Sequence, residues 1–151
     1  MKSKNLKHGT KVKIIILTSV VLSLSIGSLL FNSTLRGISE ALESILLFVS
    51  IIIGFIGASL SMFATVSESK FATKLKDSPK SKKQFIYTLG ITLIIGVLLV
   101  GLTIIYQLLI ANDASAWIMH FVNYFWLFLI PLFLGMAYLI IDVILKILFA
   151  N

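Results

Sequence analysis

The chain contains no cysteine. That excludes disulfides, thiolate nucleophiles, cysteine-held zinc, iron–sulfur clusters and the lipid-bearing cysteine of a lipoprotein. Charge is scarce as well. Only 13% of the residues are Asp, Glu, Lys or Arg, against about 25% in soluble domains. Hydrophobic residues make up 58%, against a usual ~45–50%. A water-soluble fold of 151 residues could not hide that much apolar surface, so the solvent for this sequence is lipid. Acids are rarer still, six in all. Glu43, Asp113 and Asp142 fall near the ends of apolar runs, and none falls in the middle of one. An ionisable group at mid-membrane is the usual mark of an ion pathway or proton relay. Its absence argues against proton-coupled transport and against an intramembrane hydrolase. No Ser–His–Asp set converges at one depth, no His/Glu cluster has metal-ligand spacing, and no Gly-rich phosphate loop occurs. The sequence reads as non-enzymatic, with no metal and no cofactor.

What is present is hydrocarbon in four runs. Spans are expected at about 14–31, 45–66, 85–111 and 122–141, each near the ~20 residues that cross a ~30 Å core at 1.5 Å rise. The fourth apolar stretch, from Trp117 to Ala150, is too long for one simple span. Residues 117–121 are assigned to the outer interface and 142–151 to a short inner tail. Trp117, Phe121, Tyr124, Phe125 and Trp126 suit an interfacial aromatic belt. Asp142 and Lys146 are four apart and can pair on one helix face. Pro131 falls mid-span and predicts a kink. The expected fold is therefore an all-α integral membrane protein: one domain of four transmembrane helices in a bundle, built as two helical hairpins joined by a basic turn.

The basic residues set the threading. Lys2, Lys4, Lys7, Lys11 and Lys13 precede the first span, six lysines lie between the second and third, and Lys146 follows the fourth. Arg36 alone lies in the other two loops. The positive-inside rule places both termini and the 67–84 loop in the cytoplasm of a bacterial plasma membrane. The net charge of +7 is then a matter of topology and of anionic headgroups, not of nucleic acid. Within that loop, Phe71, Ala72 and Leu75 make one helical stripe, and Ser78-Pro79 is an N-cap and first-turn pair. A helical hairpin protruding into the cytoplasm is predicted, with the third helix starting at Pro79. Lys70, Lys74, Lys76, Lys80, Lys82 and Lys83 would touch anionic lipid, at about 1 kcal/mol each, or a soluble partner.

In lipid, helices gain little from apolar contact alone, so small residues at four-residue spacing matter. Such rows are Ser19-Ser23-Gly27 on the first helix, Ser50-Gly54-Ala58 and Gly57-Ser61-Thr65 on the second, and Thr88-Thr92-Gly96 on the third. Having two rows, the second helix is expected at the centre of the bundle. One polar constellation stands out: His120, Asn123 and Tyr124 share a face of the fourth helix, with Gln107 at similar depth on the third and Asp113 between. It is read either as interhelical hydrogen bonding or as a small outward-facing pocket.

The favouring of Lys, Ile, Ser and Asn is similar to that of small membrane proteins of low-GC Gram-positive bacteria, among them bacteriocin immunity, prophage exclusion and secretion-accessory proteins. Small multidrug exporters also have four short helices but need an acid in the first span, which this chain lacks. The expected function is binding, as an accessory, immunity or regulatory subunit that contacts another membrane protein or itself. The alternatives are an oligomeric pore or membrane-perturbing effector and, more weakly, a carrier for a neutral or lipid-like substrate.

Overall fold

A computed structural model of the chain describes residues 8–31, 38–65, 79–113 and 115–149. All regular structure among these residues is helical: α1 His8–Phe31, α2 Ile38–Thr65, α3 Pro79–Ala111 and α4 Ala116–Phe149. Each contains a stretch long and apolar enough to cross a membrane, at Gly9–Ser28, Glu40–Ala58, Phe85–Ala111 and Ala116–Val143. The chain is a multi-pass helical membrane protein.

The helix ends follow local chemistry. Pro79 opens α3, where a missing N–H costs nothing and the fixed φ suits the first turn. α2 begins seven residues before the expected boundary at 45, and Glu40 lies in its first turn, where the helix dipole favours an acid. α1 begins at His8, so Lys11 and Lys13 belong to the helix and do not precede it. The fourth stretch, expected to divide into interface segment, span and tail, is one helix that runs unbroken from Ala116 to Phe149 through Pro131. Lys70, Lys74, Lys76 and the expected turn at Asp77-Ser78 lie outside the described residues.

The helices pack in the order α1, α4, α3, α2. Among the described residues α1 packs on α4 and forms no packed pair with α2, where a first hairpin was expected. Ile15 meets Gly135, and Lys11 meets Asp142. Gly27 meets Tyr124 at the other end, so α1 and α4 are antiparallel. The core lies where α4 and α3 meet α2. Leu99 and Tyr106 come from α3, and Trp126, Leu129 and Phe133 come from α4. α2 contributes Leu42, Val49 and Ile56, spaced by seven residues along one stripe.

The central helices are thus α3 and α4. The expectation that α2 holds the centre is corrected, since α2 is an edge helix packed on α3. The reason is visible at its glycines. Among the described residues, a Cβ added at Gly54 or Gly57 would meet no atom within 4 Å, whereas one at Gly96 would press on Phe133 and Ile53 at 2.8–2.9 Å. The close approach that small residues permit is used on α1 and α3, and it is left unused on α2.

Candidate functional site

Two features could carry function: a polar knot between α3 and α4, and the outer face of α2. The knot is built from two matching i, i+3 pairs, Thr103/Tyr106 on α3 and Asn123/Trp126 on α4. The Trp126 indole N–H donates to Thr103 Oγ1 at 2.9 Å, and the Thr103 hydroxyl donates to the Leu99 carbonyl at 2.7 Å. The Tyr106 hydroxyl reaches Asn123 Oδ1 at 3.4 Å, a long hydrogen bond. The Tyr106 and Trp126 rings meet edge to face with centroids 5.8 Å apart, a favoured aromatic geometry.

This arrangement changes the reading of the polar constellation. Asn123 turns towards α3, while Tyr124 turns the other way and covers Gly27 of α1. The two do not converge on a common pocket. Gln107 and His120 are half-buried near the same end. Asp113 is exposed and has φ 48°. That left-handed conformation is one that aspartate tolerates better than most residues. Asp113 stands two residues past Ala111, the last residue of α3. The Asn112 N–H and its Nδ2 both donate to the Leu108 carbonyl, and the Asp113 N–H donates to that of Ile110. Asp113 therefore shapes the turn that ends α3.

Trp126 departs from the expected aromatic belt. It is 5% exposed, while Trp117 is 78% exposed. The signal that could have found the knot was the shared three-residue spacing of Thr103/Tyr106 and Asn123/Trp126 on adjacent helices.

Three further buried hydroxyls bond their own helices. Ser19 donates to Ile15, Ser23 to Val20 and Thr92 to Thr88. Among the described residues no buried side-chain nitrogen or oxygen lacks a hydrogen-bond partner. Such groups can sit in an apolar interior without water. At the opposite end from the knot, the Lys11 ammonium meets the Asp142 carboxylate at 2.6 Å. The expected partner of Asp142 was Lys146, whose side chain lies outside the described ones. Lys80, Lys82 and Lys83 fall in the opening turns of α3.

The outer face of α2 is the larger open feature. Ser50, Gly54, Ala58 and Ser61 are exposed there, alongside the exposed ridge of Leu47, Ile51 and Phe55. At 100° per residue this face lies opposite the buried Leu42–Val49–Ile56 stripe. Ser50 donates to the Leu46 carbonyl, which leaves its row low and apolar. Small residues between larger ridges are the geometry by which one membrane helix accepts another.

Compared with known protein families, with curated proteins and with solved structures, the chain matches none.

Proposed function

We propose that the protein is a non-enzymatic accessory or regulatory subunit of the bacterial plasma membrane, an immunity protein being one such case, and that it acts by seating a transmembrane helix of another protein on the outer face of α2. One observation carries the reading: the small-residue face of α2 is open although α2 is already anchored through its opposite face. Glycine inside a helix costs up to about 1 kcal/mol relative to alanine. At Gly27, Gly96 and Gly135 a packed side chain of this chain occupies the space. At Gly54 and Gly57 none of the described side chains does, and a partner helix would give those glycines the same use. In this reading both termini and the 67–84 loop are cytoplasmic, because twelve of the thirteen basic residues lie on that side and the lysine bias sets orientation.

The self-hydrogen-bonded hydroxyls and the satisfied knot disfavour a water path through one copy, so a pore would have to form between copies. The test is chemical cross-linking in the native membrane. A discrete adduct with a second protein should form, and Gly54→Leu should abolish it, while Val97→Leu on the exposed side of α3 leaves it intact. An adduct made only of copies of this chain, together with dye leakage from liposomes, would replace the proposal with the oligomeric pore.

A further inference from the structure

A second binding feature involves α1, α3 and α4 and none of α2. Between α1 and α3 runs a groove whose floor is α4, with a volume of about 520 Å³, inside the ~300–1,000 Å³ range of ligand sites. α1 lends Val12, Lys13 and Ile16 to one wall, and α3 lends Tyr87, Ile91 and Ile95 to the other. The floor is Phe128, Leu132 and Met136. Apart from the buried Thr88 beside Tyr87, the side chains deep in the groove are hydrocarbon or aromatic ring, and the charged and phenolic groups stand at one end.

That end coincides with the edge of the apolar zone. Lys13 is the last charge before the apolar run of α1, Lys83 the last before that of α3, and Asp142 the first after that of α4. From Tyr87 to Ile95 the groove descends eight residues, about 12 Å at 1.5 Å rise. One leaflet of a ~30 Å hydrocarbon core is about 15 Å deep. The groove therefore starts at headgroup level and covers most of one leaflet.

Its charge is positive at the mouth. Asp142 is engaged by Lys11, which leaves the exposed Lys13 as the ammonium on the groove wall. Tyr87, 68% exposed, brings a hydroxyl donor to the opposite rim. We propose that this groove is a binding site for one anionic phospholipid, with an acyl chain laid between Ile16 and Ile91 over Leu132, and the phosphate held by Lys13 and Tyr87.

The test uses the full chain reconstituted with equal amounts of phosphatidylglycerol and phosphatidylcholine bearing identical acyl chains. Lipid retained on the released protein is read by native mass spectrometry. One lysine near the surface corresponds to a preference of roughly fivefold for the anionic lipid. Lys13→Gln should remove that preference, and Lys2→Gln, which makes the same change in net charge, should keep it. Ile91→Trp should fill the groove and lower retention of both lipids. If Ile91→Trp reduces helicity, Ile95→Phe takes its place. Equal retention of the two lipids by the wild type, an unchanged preference in Lys13→Gln, or undiminished retention with the groove filled would each overturn the proposal.

Discussion

Trp126 of α4 and Thr103 of α3 are joined by a hydrogen bond from the indole N–H to a hydroxyl that is itself bonded to the Leu99 carbonyl. Both side chains are buried, and in lipid no water can replace a lost partner. Thr103→Val keeps the shape and removes the acceptor. It should lower stability by about 0.6–1.7 kcal/mol, the range of interhelical hydrogen bonds in membranes. Thr103→Ser, which keeps the oxygen, should recover most of it. Thermal unfolding in detergent, followed by circular dichroism, measures both. A Thr103→Val protein as stable as the wild type would remove the knot from the forces that hold α3 to α4.

Gly27 and Gly54 make an opposed pair. A side chain at Gly27 would overlap the Tyr124 ring, and one at Gly54 would enter open space. Gly27→Leu should destabilise by about 1–3 kcal/mol or more, as overpacking does. Gly54→Leu should stay within about 0.5 kcal/mol of the wild type, as surface changes do. Melting temperatures of the two purified variants decide this, and a large loss at Gly54 would return α2 to the interior.

The Lys11–Asp142 contact ties the start of α1 to the end of α4. The two side chains are 26% and 21% exposed, so solvent still screens the pair. A double-mutant cycle with Lys11→Gln and Asp142→Asn should give a coupling of about 0.2–1 kcal/mol. The coupling should weaken as salt is raised, since screening shortens the reach of exposed charges. A coupling near zero at low salt would mean that the small-residue seam alone holds α1.

Asp113 carries its left-handed backbone at a cost of roughly 1–2 kcal/mol that glycine would not bear. Asp113→Gly should therefore be neutral or stabilising by up to ~1 kcal/mol, and Asp113→Val should be destabilising. Unfolding curves of the two variants check the order. If Asp113→Gly abolishes partner binding at unchanged stability, the carboxylate belongs to a site and not only to the turn.

Much of the fold could be read from residue order. Four runs of spanning length and the Pro79 start of α3 need only the bilayer thickness and the missing N–H of proline. The order of the helices could not be read that way. In lipid both sides of a helix are apolar, so hydrophobic periodicity does not say which side is inward. Ser19-Ser23-Gly27 and Ser50-Gly54-Ala58 have the same spacing and similar sizes, yet the first is buried against α4 and the second is open. The difference lies in what faces each row, which is decided by residues a hundred positions away. Trp126 was obscured for a related reason. An aromatic near a span end satisfies the interface pattern whether it points to headgroups or to Thr103. The Lys11–Asp142 pair, 131 residues apart, was hidden by the nearer Lys146.

On the proposed function, the outer face of α2 receives a helix of another membrane protein. Because the chain has no native cysteine, single cysteines can be placed along α2 without background. Residues 47, 50, 54 and 58 face outward and 49 and 56 face the core. Cross-linking each variant in native membranes and resolving the products by mass gives a yield for every position. One adduct, containing a second protein, should form from cysteines at 47, 50, 54 and 58, and none from 49 and 56. Equal yields around the helix, products from the inward positions only, or adducts consisting solely of two copies of this chain would contradict it.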